Sequence, residues 1–213
     1  VGVNAIKFQT HVAEAESSEY EAFRVKFSYE DNTRFDYWKR MEFTEEQWIG
    51  LKVHCDDVGI EFLSSPFSLT AIDLLERVGV KRYKVGSGEV NNHLMLEYLA
   101  KTRKPVLLSS GMSSFEELDS SVALLKSFDT SLSIFQCTTS YPTKPKNWGL
   151  NVISELKQRY GFPVGYSDHS GDIYACLFAA SQGAELFEFH AVFDKSMFGP
   201  DSKSSLTPKE ISK

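Results

Sequence analysis

The chain is poor in cysteine, in basic residues and in long apolar runs. Its three cysteines, Cys55, Cys137 and Cys176, are far apart in mostly apolar contexts, which predicts reduced thiols in a cytoplasmic protein rather than a disulfide framework. The longest apolar candidate, residues 173–180, is far too short to cross a membrane. With 23 basic and 29 acidic residues the net charge is −6, which argues against nucleic acid or an anionic membrane as a partner.

What the chain does contain is a regular alternation of short apolar segments and amphipathic ones. Hydrophobic residues make up 42% of the sequence, enough for a full core in one domain of 213 residues. Strands are predicted at residues 3–8, 61–65, 82–86, 105–109, 132–136, 163–167 and 186–190. Helices are predicted to begin at Thr44 and near Leu69, Asn92, Ser114, Leu150 and Asp172. This pattern predicts a parallel (β/α) barrel of the eight-stranded TIM type, and no Gly-x-Gly-x-x-Gly turn supports the alternative of a doubly wound open sheet.

The strand count and the two termini predict an incomplete barrel. We find seven strands rather than eight, and the chain stops at Thr207-Pro208, the start of a helix. We therefore expect one barrel domain over residues 1–213, with its first strand missing and its last helix cut short. An open slot should lie beside the strand at 3–8, because a strand without a neighbour exposes unpaired backbone groups.

A long segment at about residues 10–43 interrupts the alternation. Phe23, Phe27 and Tyr29 alternate with polar residues, Asp31-Asn32 suggests a turn, and residues 34–38 are aromatic again. The pattern predicts a β-hairpin that lies over the barrel mouth or in a subunit contact, because a lone hairpin is only marginally stable.

Two histidines end neighbouring predicted strands, His169 after strand 163–167 and His190 at the end of strand 186–190. Parallel strands lie about 4.8 Å apart, so the two imidazoles can converge on one metal ion. The alternative is two unrelated histidines, each satisfied by hydrogen bonds, and spacing alone does not decide between them.

Other polar residues cluster at the same strand ends, where such barrels carry their active sites. They include Lys7, Gln9, Ser65, Lys84, Ser87, Glu89, Ser109, Thr139, Tyr141, Ser167 and Glu188. This rim carries hydroxyl groups, two lysines and backbone N–H groups that neighbouring glycines leave accessible. Such groups are suited to binding a phosphate and a carboxylate. For each serine the alternative is a helix cap or turn, and for Lys84 it is a structural salt bridge with Glu89.

Taken together, these motifs resemble the sialic acid synthase family, which includes the N-acetylneuraminate, legionaminate and pseudaminate synthases. The resemblance covers nearly all of the chain, and its specificity comes from eight motifs in order. They are Lys-Phe-Gln (7–9), Ser-Pro-Phe (65–67), Lys-x-x-Ser-x-Glu (84–89), Ser-x-Gly-Met (109–112), Thr-x-Tyr-Pro-Thr (139–143), Gly-Tyr-Ser-Asp-His (165–169), Glu-x-His (188–190) and Gly-Pro-Asp (199–201). The family usually has lysine at the position of Phe189.

The resemblance implies a carbon–carbon bond-forming transferase that condenses phosphoenolpyruvate with an open-chain N-acyl hexosamine, assisted by a divalent metal, usually Mn²⁺. On this basis His169 and His190 would bind the metal, and Glu89, Glu188 and Lys84 are the candidate catalytic residues. Phosphoenolpyruvate would contact Lys7, Lys84, Ser65, Ser87, Ser109 and Ser167. The sugar would contact Gln9, Tyr141 and Asp201, with Thr139 as a further substrate contact.

We expect a homodimer, and the family's C-terminal antifreeze-like domain is not part of this chain. Two alternatives stay open. One is a related phosphoenolpyruvate-condensing barrel that takes a sugar phosphate, and the other is a barrel kept as a non-catalytic module.

Overall fold

The computed structural model describes residues 2–23 and 28–213, and its central feature is a curled sheet of eight parallel strands. The strands follow one another in chain order from β1 to β8, with helices between them. The strands are β1 Ala5–Thr10, β2 Glu61–Pro66, β3 Tyr83–Val85, β4 Val106–Ser109, β5 Leu132–Cys137, β6 Val164–Asp168, β7 Leu186–Ala191 and β8 Ser205–Leu206. The predicted parallel strand–helix architecture is confirmed, in the form of a half-barrel.

The helices include one at or beside each of the six predicted starts, from Thr44 to Asp172. They are α1 Ala13–Glu16, α2 Arg34–Met41, α3 Glu45–Asp57, α4 Leu69–Val78, α5 His93–Ala100, α6 Phe115–Ser127, α7 Asn151–Tyr160, α8 Ile173–Ser181 and α9 Pro208–Ile211. Thr44 and Ser114 form capping boxes at the starts of α3 and α6, each satisfying two backbone N–H groups. Gly79, with φ of 84°, ends α4 in the left-handed conformation that glycine adopts without strain.

Because successive strand residues point to opposite faces, the sheet has an outer and an inner apolar layer. The outer layer, which includes fully buried Leu108, packs against helix residues such as Ile72 and Leu96. The inner layer is a small cluster of Leu63, Leu107 and Phe135, with Leu186 packed against it. This cluster closes the floor of the barrel interior below the strand ends.

Two predictions about the sheet have different outcomes. The open edge beside β1 is confirmed, since β1 and β8 are the two ends of the strand order in the described part of the chain. The count of seven strands is wrong, because Ser205 and Leu206 form a short eighth strand that pairs with His190 and Ala191. Two residues are too few for a period-2 pattern, so the sequence carries no strand signal there.

The predicted hairpin is also wrong in its second half. Residues 34–38 belong to helix α2, which begins with a capping box formed by Thr33 and Asp36. Residues 24–27 of the predicted first strand lie outside the described residues. Helix α2 still approaches the strand ends, because Trp38 stacks on His11 with ring centroids 3.7 Å apart and His11 stacks on Phe67 at 4.2 Å. The capping pattern Thr-x-x-Asp was the missed helix signal.

Over the described ranges, the helices are too short or too polar for any of them to cross a bilayer.

Candidate active site

Strand register brings most of the candidate residues to the inner face of the barrel. In parallel strands, paired residues point to the same side of the sheet. Gln9 pairs with Ser65, Cys137 pairs with Ser167, and Ser167 pairs with Glu188. The same alternation places Lys7, Lys84, Ser109 and His190 on this face. Eight candidate residues from six strands therefore share one interior surface.

The centre of this surface is a network of two lysines and one glutamate. Lys7 Nζ lies 2.9 Å from Glu188 Oε1, and Lys84 Nζ lies 3.5 Å from Glu188 Oε2. Burial alone would raise the pKa of Glu188, but the two ammonium groups outweigh it and lower the pKa to about 2. Glu188 is therefore ionised near neutral pH and partly neutralises the two lysines.

Lys84 is the most enclosed charged group in this network, with 2% of its side chain exposed. Its ammonium donates hydrogen bonds to Ser109 Oγ and to the Val85 carbonyl, and it lies 5.4 Å from the centre of the Phe135 ring. Burial lowers the pKa of Lys84, against the opposing effect of Glu188. The alternative salt bridge with Glu89 does not form, since Glu89 instead accepts a hydrogen bond from Asn92 Nδ2 at 2.9 Å.

Ser87 and Thr139 converge on the glycine of the Ser-x-Gly-Met motif. A methyl group added at Gly111 would lie 2.6 Å from Ser87 Oγ and 2.8 Å from Thr139 Oγ1. Such distances are far below van der Waals contact, so only glycine lets the backbone pass this close to both hydroxyls. The three residues form one wall of the cleft.

The buried serines do not serve as helix caps. Ser65, Ser109 and Ser167 are 1–3% exposed and lie within strands. The nearby N-caps are other residues, Ser68 for α4 and Ser114 for α6. The strand-end serines are thus available to line the interior of the barrel.

The two histidines lie side by side, with ring centroids 5.2 Å apart. His169 Nδ1 is 2.9 Å from the Thr138 carbonyl, and His190 Nδ1 is 3.6 Å from Asp201 Oδ2. Burial lowers the pKa of His190 to about 4, so this imidazole is neutral near pH 7. Burial also lowers the pKa of His169, but the neighbouring Cys137 sulfur and Thr138 carbonyl raise it overall.

Tyr141 and Asp201 frame this pair from the loops above it. The Tyr141 ring stacks on His169 with centroids 4.2 Å apart and meets His190 edge-on at 5.8 Å. The loop that carries Asp201 packs against Gly171, where a side chain would lie 2.5 Å from the Lys203 carbonyl. Both residues therefore stand beside the histidines.

Cys137 is a site residue that sequence analysis did not single out, because the cysteines lie in mostly apolar contexts. It lies 3.5 Å from Ser87 Oγ and 4.0 Å from His169 Nδ1. Burial would raise the pKa of its thiol, but His169 and Ser87 lower it overall. Strand alternation could have found it, since Cys137 is two residues from inward-facing Phe135.

A search of protein families finds that the NeuB family model matches residues 1–213. The chain is 32% identical over 216 residues to an N,N'-diacetyllegionaminic acid synthase of Campylobacter jejuni, covering 99% of this chain and 65% of that protein. It is 34% identical over 177 residues to the human N-acetylneuraminate-9-phosphate synthase, covering 83% of this chain and 49% of that protein.

The chain is also similar to a solved structure. The crystal structure of the N-acetylneuraminic acid synthetase of Leptospira borgpetersenii, in complex with citrate, superposes with a TM-score of 0.86 at 31% identity. The match covers 98% of this chain and 70% of that one. The chain spans roughly half to two thirds of the length of its curated relatives named above.

Proposed function

Because this chain belongs to the NeuB family, we propose that it is the catalytic barrel of an enzyme that condenses phosphoenolpyruvate with an open-chain N-acyl hexosamine. The product would be a nine-carbon sialic-type 2-keto acid, with release of phosphate. The observation that carries this proposal is the inner surface on which Lys7, Lys84 and Ser109 stand beside His169 and His190. This surface combines positively charged side chains that can bind an anion with two imidazoles that can bind a metal ion.

The anion site suits the phosphate and carboxylate of phosphoenolpyruvate. Lys84 is held in place by Ser109, the Val85 carbonyl and Glu188, so little reorganisation is needed when an anion arrives. Fixed positive charge in an enclosed site stabilises the charge that develops as phosphate leaves. Ser65, Ser87 and Ser167 would donate further hydrogen bonds, and Lys7 would provide the second cation.

The paired histidines fit a divalent metal, although no third His, Cys, Asp or Glu joins them in the ranges 2–23 and 28–213. Each Nδ1 faces an acceptor, Thr138 O for His169 and Asp201 Oδ2 for His190, which is how outer-shell groups orient ligating imidazoles. Two protein ligands leave coordination positions for water and substrate. When bound, an ion such as Mn²⁺ would supply Lewis-acid polarisation of the sugar aldehyde.

The remaining candidates divide into sugar contacts and carboxylates. Gln9, Tyr141 and Asp201 would hold the hexosamine so that its aldehyde carbon faces the enol carbon of phosphoenolpyruvate. Glu188 is ionised and committed to the two lysines, so we assign it to their positioning rather than to proton transfer near neutral pH. Glu89 is then the candidate to orient the water that adds to the intermediate before phosphate departs.

The experiment is phosphate release from phosphoenolpyruvate with a panel of N-acyl hexosamines in the presence of Mn²⁺. His190→Ala should lower turnover by more than the roughly 10- to 100-fold typical of losing an outer-shell metal partner. The matched control is His54→Ala, because His54 is an exposed histidine on α3. Phosphate release with arabinose 5-phosphate but not with N-acyl hexosamines would refute the proposed substrate, and full activity of His190→Ala would refute the metal site.

A further inference from the structure

Tyr141 is held over His169 by its ring, its hydroxyl and its loop. The stacked rings have centroids 4.2 Å apart at an angle of 27°, and the hydroxyl lies 3.2 Å from His169 Nε2. The backbone N–H of Thr143 donates to the His169 carbonyl at 2.9 Å, which ties the Tyr141 loop to the end of β6. The contact between the two side chains is therefore built into the loop geometry.

For neutral His169, the form that binds a metal, hydrogen bonding defines which atom donates in this contact. His169 Nδ1 is 2.9 Å from the Thr138 carbonyl, which can only accept, so Nδ1 carries the proton. In the neutral imidazole Nε2 then has a lone pair and accepts from the Tyr141 hydroxyl. The phenolic hydroxyl of Tyr141 carries a proton that it can donate to Nε2, 3.2 Å away.

Nε2 is also the atom of His169 that would bind a metal, since Nδ1 is committed to Thr138. One lone pair cannot accept a proton from tyrosine and coordinate a cation at the same time. Resting on the metal-assisted function proposed above, we propose that the Tyr141 hydroxyl competes with the divalent ion for His169 Nε2.

Because of this competition, Tyr141 is a positioning residue, and its hydroxyl couples metal binding to sugar binding. Tyr141 is 45% exposed, so its hydroxyl has room to turn toward the barrel mouth once an ion occupies Nε2. The hydroxyl is then free to contact a sugar, and metal binding precedes full sugar binding. The wild-type affinity for the N-acyl hexosamine therefore depends on metal partly through this hydroxyl.

The test is the affinity of the purified protein for Mn²⁺, measured by isothermal titration calorimetry for wild type and Tyr141→Phe. Phenylalanine keeps the ring stack and removes the competing hydrogen bond. A net hydrogen bond is worth enough to change an equilibrium by about 2- to 10-fold, so the variant should bind Mn²⁺ tighter by that factor. The matched control is Tyr98→Phe, which removes a 2.6 Å bond to Asp73 on the outer helices and should leave Mn²⁺ affinity unchanged.

A second measurement is spectroscopic. Mn²⁺ added to the wild-type protein should change the near-ultraviolet difference spectrum of a tyrosine that loses its acceptor, and Tyr141→Phe should lose that signal. Equal Mn²⁺ affinity in wild type and Tyr141→Phe, or weaker binding by the variant, overturns the competition while leaving the metal site in place. No Mn²⁺ binding by either protein overturns both the metal site and the inference built on it.

Discussion

Replacing Glu188 with glutamine removes the negative charge that Lys7 and Lys84 both face across the barrel interior. The consequence should be largest at Lys84, which is 2% exposed and lies 3.5 Å from the Glu188 carboxylate. Removing one partner of a buried ion pair typically costs about 3–5 kcal/mol, because the other charge is left uncompensated. We therefore expect Glu188→Gln to lower the free energy of unfolding well beyond the effect of a surface substitution.

The pKa of Glu188 leads to a similar magnitude. Lowering this pKa from 4.5 to about 2 corresponds to about 3 kcal/mol of stabilisation of the ionised carboxylate in the folded protein. For a domain of this size, 3 kcal/mol corresponds to a fall in Tm of about 6–12 °C. The cost of breaking a buried ion pair and the shift in the pKa of Glu188 thus both give a loss of about 3 kcal/mol in the free energy of unfolding.

The assay is urea unfolding followed by circular dichroism at pH 7, with two comparison variants. Glu45→Gln removes one side of the exposed Arg77–Glu45 pair and should cost less than about 1 kcal/mol. The double variant Glu188→Gln with Lys84→Met should recover part of the loss, since it removes the buried charge as well. If Glu188→Gln costs no more than Glu45→Gln, the network does not stabilise the barrel as we argue.

The same carboxylate defines a pH window with a definite sign. A carboxyl group whose pKa is lower in the folded protein contributes its stability above its unfolded pKa. The contribution of Glu188 should therefore be complete above pH 4.5 and fall away as the pH drops toward about 2. The stability difference between wild type and Glu188→Gln should shrink across that range, and a difference that grows with acidity would contradict the assignment.

Two further substitutions test the anion site. Lys84→Met should weaken phosphoenolpyruvate binding more than tenfold in calorimetry while changing sugar binding little, because the ammonium faces the anion side of the cleft; equal losses for both substrates would count against this role. Gly111→Ala should reduce phosphoenolpyruvate affinity and cost about 1–3 kcal/mol in urea unfolding, since its methyl group would meet Ser87 Oγ and Thr139 Oγ1. Gly50→Ala on α3 is its control, with no atom within 4 Å, and both assays should leave that variant at or above wild type.

Local signals explain why most of the fold could be predicted. Helices α3 and α6 begin at capping boxes, and strands such as β2 and β5 contain short apolar pairs, Phe62-Leu63 and Ile134-Phe135. The failures occurred where local signals are weak or contradictory. The two residues of β8 have no periodic pattern, and the aromatic residues of α2 imitate a strand although Thr33 and Asp36 cap a helix.

In the candidate site, too, local sequence determines some features and not others. Sequence order and strand alternation determine that residues such as Lys7, Ser109 and His190 end on one face at the carboxyl ends of parallel strands. Which of them meet is a matter of sheet curvature and packing across the barrel. Lys84 pairs with Glu188 rather than with nearby Glu89 because the curled sheet brings β3 opposite β7, and no local pattern encodes that approach.

The sequence by itself therefore determined the kind of fold and the set of residues at its mouth, since hydrophobic period, caps and motifs are local properties. Tertiary structure alone decided the Lys7–Glu188–Lys84 network and the contact of Tyr141 with His169. It also placed Cys137 beside Ser87 and His169, although its sequence context is that of a core residue. Such contacts join residues that are far apart in the chain, and they depend on how the whole barrel packs.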